Sequence, residues 1–454
     1  MKRTTVGATI LKARFVVPLD SPVIEDGAVA INDGHITAVG AARDISAGRT
    51  IDYGDAVILP GLVNAHTHLE LTLLAGRVPP TSDFVDWLQR LIAVRASDLA
   101  SEPRSECNPG APGVRATQPG EPRTSVRADA TPARADHIAD YLARAVRRGV
   151  AESVSSGVTT IGDITSMPCW TRPALADSPL RAVSFGEVIA MGTGRYRLAN
   201  RLNQAANLDR QTPTMRIGIS PHAPYTVEPK AMHACVDRAR RLNVPLCIHL
   251  AETIEEEIFT RERGGPFADF LRRLGLWDEG VPRSGCSPVE LCAANGLLGP
   301  RTLLAHANYV SDAEIAVIAA SGASVAFCPR THHAFGHKPH RFRDMLRAGV
   351  NVCLGTDSLA SNPSLSILDE LRFLRANCHD MAPMDLLEMA AIRGARALGF
   401  GDLCGSISPG KCADLVVVPL LPSNRMSWHS VFDSPVLPLA VYIAGTRCCG
   451  SFYC

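Results

Sequence analysis

Eight short apolar runs, most of them closing on a polar residue, alternate with longer amphipathic stretches, and this alternation constrains the fold more than any other feature. The runs are LVNAH (62–66), VTTIGD (158–163), RAVSFGE (181–187), RIGISPH (216–222), PLCIH (245–249), TLLAH (302–306), ASVAFC (323–328) and VNVCLGTD (350–357). Parallel strands covered on both faces read as continuous apolar runs, and helices alternate with them. Eight such units predict an α/β fold, a TIM-like (β/α)8 barrel, with its chemistry at the C-terminal ends of the strands.

The two ends of the chain have a different texture. Residues 1 to about 60 read as short strands with turns, and Asn32-Asp33-Gly34 offers a tight hairpin. SISPGKCADLVVVPL and LPLAVYIAGTRC, beyond Gly405, read the same way, which invites pairing between the ends. The expected organisation is a small β-sandwich unit from residues 1–58 plus 405–454, with the barrel at 59–404 inserted in it. Residues 101–135 are rich in Pro, Gly, Ser and Arg and poor in large apolar side chains, which predicts a disordered surface insertion.

Composition narrows the partners. With 46 basic and 45 acidic residues the net charge is +1, so no global field gathers nucleic acid or anionic membrane. No apolar run reaches the roughly 20 residues that span a bilayer. Lys12 and Arg14 interrupt the stretch a secretory signal would need. The expected partner is a small molecule, with a homo-oligomer compatible. The 14 cysteines form no CxxC pairs, and Cys247, Cys328 and Cys353 sit in apolar runs, as reduced thiols of a cytoplasmic protein would. Cys448, Cys449 and Cys454 carry no derivable role.

Candidate metal ligands gather at the strand ends. Residues i and i+2 of a strand share a face, so His66 and His68 in VNAHTHLEL project together. An isolated HxH can equally be two loop histidines, but His249 closes the fifth run, His306 the sixth, and Asp357 follows the eighth. Imidazole and carboxylate suit zinc, with iron as the alternative, and a catalytic site leaves one position open for water.

Together LPGLVNAHTH, SPHAPYTV, IHLAET, AHANYV and GTDSLASN resemble the amidohydrolase superfamily over nearly the whole chain. Their order resembles the deaminase branch, which includes methylthioadenosine and adenosylhomocysteine deaminases, aminodeoxyfutalosine deaminase, and guanine or triazine hydrolases. The resemblance implies one divalent metal held by His66, His68, His249 and Asp357. It implies Glu252 as proton shuttle, His306 on the attacking water and His222 on the substrate ring. Some members bridge two metals with a carboxylated lysine after the fourth strand, whereas here that strand runs into SPHAPYTV. A scaffold that had lost its chemistry would show broken ligands, and these are intact.

Substrate contacts are expected from CPRTHHAFGHKPHRF, where Arg330 could meet a carboxylate bidentately beside His333. In methylthioadenosine deaminases a ribose-binding acid follows a Trp-Leu pair. Trp87-Leu88 is present, but Arg95 and Ala96 stand where the acid would be, and CPRTHH replaces an HNPxSN-like stretch. Trp87 remains a candidate substrate contact. An arginine suited to a carboxylate points to aminodeoxyfutalosine, a step of menaquinone biosynthesis, with methylthioadenosine or adenosylhomocysteine, or a guanine- or triazine-type amidohydrolase reaction, as the alternatives.

Overall fold

The computed structural model describes residues 7–46, 48–100, 132–420, 431–432 and 436–448. All eight apolar runs are strands: β6 (Leu62–Thr67), β7 (Val158–Thr165), β8 (Arg181–Val188), β9 (Met215–Pro221), β10 (Leu246–Leu250), β11 (Thr302–His306), β12 (Ser324–Phe327) and β13 (Asn351–Leu354). They pair in sequence order and in parallel from β6 to β13. A bridge between Thr67 and Asp357 brings β6 to the segment following β13, so the sheet curls into the (β/α)8 barrel. Asp357 N–H and Thr356 N–H both donate to the His66 carbonyl, fastening the first strand end to the last.

The strand interiors are filled with modest side chains such as Val63, Ala65, Val183, Cys247, Ala326 and Cys353. Phe400 and Leu398, from the chain after the last strand, join this cluster. Burial of these groups from both faces explains the unbroken apolar runs. Cys247, Cys328 and Cys353 are buried free thiols.

A second sheet uses both ends of the chain. Its strands are β1 (Thr9–Val16), β2 (Ile24–Asn32), β3 (His35–Ala41), β4 (Arg49–Asp52), β5 (Ala56–Pro60), β14 (Leu415–Pro419), β15 (Ala440–Ile443) and β16 (Thr446–Cys448). β14 lies antiparallel to β5, with Val417 opposite Ile58. The turn between β2 and β3 holds Asp33 at φ 47 and Gly34 at φ 77, the double left-handed pair that a two-residue hairpin favours.

Of the segment 101–135, residues 101–131 lie outside the described residues, as do Cys449 and Cys454. Pro132 opens the helix Pro132–Ser155, so residues 132–135 are helical rather than part of an insertion. Proline suits that first turn because its missing N–H would have had no partner there. No helix among the described residues is long and apolar enough to cross a membrane.

Arg181, at the start of β8, ties barrel to terminal sheet. Its Nε and Nη2 both donate to Asp414 Oδ2 at 3.3 Å, while Ala444 N–H donates to Asp414 Oδ1 at 2.8 Å. Both side chains are almost wholly buried. Arg181→Met would strand the carboxylate, a loss of about 3–5 kcal/mol for a broken buried pair. Urea unfolding should show the fall; an unchanged midpoint would show that the pair does not hold the two parts together.

Candidate active site

The sequence-predicted ligands converge at the C-terminal mouth of the barrel. His66 and His68 leave β6 with ring centroids 5.1 Å apart, and His249 at the end of β10 lies 5.0 Å from His66. His68 Nε2 and His249 Nε2 face each other at 3.1 Å. Asp357 Oδ1 stands 3.7 Å from His66 Nε2 and 3.4 Å from His68 Nε2. The ligand atoms of His66, His68 and His249 form one compact group, and those of His66, His306 and Asp357 another.

These atoms fit a divalent ion. Both ring nitrogens of His66 are buried and lack a hydrogen-bond partner. His249 Nδ1 donates to the His222 carbonyl at 2.9 Å, leaving the Nε2 lone pair directed at the cluster. That is the arrangement by which a carbonyl orients a metal-binding imidazole. Burial first, then the neighbouring imidazoles, depress the pKa values of His68, His249 and His306. Neutral rings are the ligand form. Ser361 Oγ donates to Asp357 Oδ2 at 2.5 Å and so fixes the other side of that carboxylate.

Local backbone geometry supports the placement. Asp357 lies at φ 58 and His306 at φ 74, left-handed conformations that non-glycine residues hold only when their surroundings enforce them. Close packing against His66 also leaves no room at Gly355, where a Cβ would come 2.9 Å from the His66 carbonyl oxygen.

Glu252 follows β10 and is buried, its Oε1 3.5 Å from His306 Nε2. Burial, followed by the carboxylates of Asp357 and Glu256, raises its pKa well above the usual carboxylate range. His222 is held through Nδ1 against Thr226 Oγ1 at 2.6 Å, with Nε2 3.8 Å from Glu187 Oε1.

The segment after β12 divides its residues differently from the expectation. Arg330 and His333, three apart on the helix Pro329–Ala334, share a face turned towards the helix Ile367–Asn377. Arg330 Nη1 donates to Ser364 Oγ at 2.8 Å and lies 3.7 Å from Asp369, while the His333 ring packs 5.2 Å from Phe373. Their neighbours take the inner side. His332 Nδ1 meets Asn308 Oδ1 at 3.1 Å, and His340 Nε2 donates to the His306 carbonyl at 2.8 Å. Trp87 is buried, donates Nε1 to the Val78 carbonyl at 2.9 Å, and packs edge-on against Phe335.

Several contributors escaped the sequence reading. Glu187 does close the third run, and it groups with His222 and His249 as a third set of potential ligands. Ser361 and Asn308 lie in loops and Glu256 in the first turn of the helix Ile254–Glu262, where no sequence period marks their roles.

The histidines of this segment make an acid-sensitive patch. Burial pushes His332 and His337 down to about 4 and His340 down to about 3. Each stays neutral in the folded chain while an unfolded histidine titrates near 6.5. Their stabilisation is therefore complete above about pH 6.5 and fades as pH falls towards 4. Urea midpoints at pH 7, 5.5 and 4.5 should decline accordingly; a flat series would mean these rings are charged when folded.

The amidohydrolase family model matches residues 57–447. A 5-methylthioadenosine/S-adenosylhomocysteine deaminase of Nitratidesulfovibrio vulgaris is 30% identical over 93% of this chain and 86% of its own length. A zinc-bound adenosine deaminase structure from Xanthomonas campestris superposes with TM-score 0.75 at 26% identity, covering 98% of this chain and 93% of that one. The Helicobacter pylori aminofutalosine deaminase, in complex with methylthio-coformycin, shares the fold with TM-score 0.77 at 22% identity, over 97% and 100% of the respective chains.

Proposed function

The chain belongs to the amidohydrolase family and is a hydrolase of carbon–nitrogen bonds other than peptide bonds, and from that premise we propose that it deaminates adenine nucleosides altered at the 5′ position. The observation that carries the reading is the buried Glu252, its Oε1 3.5 Å from His306 Nε2, beside a cluster of three imidazoles and one carboxylate fit for a single ion.

A divalent ion held by His66, His68, His249 and Asp357, zinc in the first instance, supplies Lewis-acid activation of water near neutral pH. The side chains do the remaining work. Asp357 accepts the proton that the attacking water gives up. His306 hydrogen-bonds that water and lines it up with the carbon bearing the exocyclic amine. Glu252 delivers its proton to the ring nitrogen beside that carbon, the proton taken up by Asp357 passes to the departing amine, and Glu252 recovers a proton from the new hydroxyl as it becomes the keto oxygen, so that water and substrate leave as a keto base and ammonia. His222, oriented by Thr226, faces the ring. Enclosure at the barrel mouth strengthens each of these interactions.

Choice of substrate follows from what is free to bind it. Arg330 is engaged with Ser364 and Asp369, so the feature that favoured a carboxylate-bearing nucleoside such as aminodeoxyfutalosine is taken up within the protein. The likeness to a methylthioadenosine/adenosylhomocysteine deaminase supports substrates of that type. The test is ammonia release by zinc-loaded protein from methylthioadenosine, adenosylhomocysteine, adenosine, aminodeoxyfutalosine and guanine. Highest kcat/KM is expected for methylthioadenosine or adenosylhomocysteine. Preference for aminodeoxyfutalosine would reverse the substrate choice, and silence from all five would overturn the deaminase reading.

A further inference from the structure

Glu252 is presented by a strained turn: Ala251, just before it, lies at φ 49. Two side chains grip the peptide of Glu252 from opposite sides. Glu256, fully buried, accepts Ala251 N–H on Oε1 and Glu252 N–H on Oε2, each at 2.9 Å. Asn308, from the loop after β11, donates Nδ2 to the Glu252 carbonyl at 2.9 Å while its Oδ1 meets His332.

Glu256 departs from the chain's own habit. In the helices beginning after Ser287 and Ser311, the third residue is a glutamate that bonds back to the N–H of the cap, completing a capping box. Thr253 caps the helix Ile254–Glu262 in the same position, accepting from Glu256 N–H. Yet the Glu256 carboxylate passes over its own cap and reaches residues 251 and 252. Leaving a buried carboxylate without a cation is expensive, and backbone N–H groups are what offset it here.

We propose that Glu256 and Asn308 are positioning residues that aim Glu252, fixing its main chain on the N–H and C=O sides so that the carboxyl holds its place beside His306. Asn308 also couples that aim to the histidine segment through His332. The inference rests on Glu252 being the proton carrier proposed above.

A double-mutant cycle tests it with zinc-loaded protein and methylthioadenosine. Asn308→Ala and Glu256→Gln should each lower kcat roughly 10- to 100-fold, the scale of an ångström-sized misplacement. KM should stay within about threefold and bound zinc unchanged, as measured by elemental analysis. Placed on Glu252→Gln, either change should add less than about twofold, because the group it aims is gone. Full additivity, or a loss confined to KM or to zinc content, would overturn the proposal. Should Glu256→Gln fail to fold, Asn308→Ala carries the same cycle. Wild-type kcat in Glu252→Gln alone would refute the proton-carrier reading and this inference with it. An impaired Glu252→Gln beside a fully active Asn308→Ala would refute the positioning role alone.

Discussion

Stripping the divalent ion with a chelator is expected to lower ammonia release by about 1,000-fold or more, since Lewis-acid activation supplies several kcal/mol of the barrier. Zinc added back should restore it. His66→Ala should reproduce the loss without recovery, because that ring is wholly buried and neither of its nitrogens has a hydrogen-bond partner. Metal removal should also lower the melting temperature, since an ion that binds only the folded cluster stabilises it by mass action. A chelated protein that keeps full activity would remove the ligand role from these residues. His66→Ala with wild-type zinc content would do so for His66 itself.

Glu252→Gln is expected to reduce kcat by about 100- to 10,000-fold, the usual contribution of a general acid or base. The change conserves size and removes only the transferable proton. Zinc content and KM should hardly move. Burial, then Asp357 and Glu256, raise the pKa of this side chain, the direction a proton donor needs. A variant within tenfold of the wild type would show that protons reach the leaving amine by another route.

The barrel was legible because its strands are buried on both faces, and the polar residue that closes most of them is the one feature that does not fit a core. The placement of the candidate site residues was legible for the same reason: a parallel barrel gathers strand ends that lie up to about three hundred residues apart, so His66, His68, His249, His306 and Asp357 could be assigned to one mouth. Orientation within short connecting helices was not legible. In Pro329–Ala334 a step of one residue turns a side chain by about a quarter of a revolution, which sends His333 to Phe373 and His332 to Asn308. A charge such as Arg330 therefore reads as a substrate contact until Ser364 and Asp369 are seen to occupy it. Asn308, Glu256 and Ser361 were missed because their partners are backbone atoms or turn residues, and no sequence period marks such pairings.

The terminal sheet sets a timetable for folding. β5 emerges early in synthesis and its neighbour β14 some 350 residues later, with every barrel strand made in between. Until the last stretch leaves the ribosome, β5 presents an open edge, a hazard for association with other chains. The barrel therefore has to take shape beside an incomplete sheet, and the closing strands act as a final latch. Nascent chains stalled before residue 415 should consequently be more prone to chaperone capture and aggregation than full-length ones, while a circular permutant that makes β14 first would shorten the vulnerable interval.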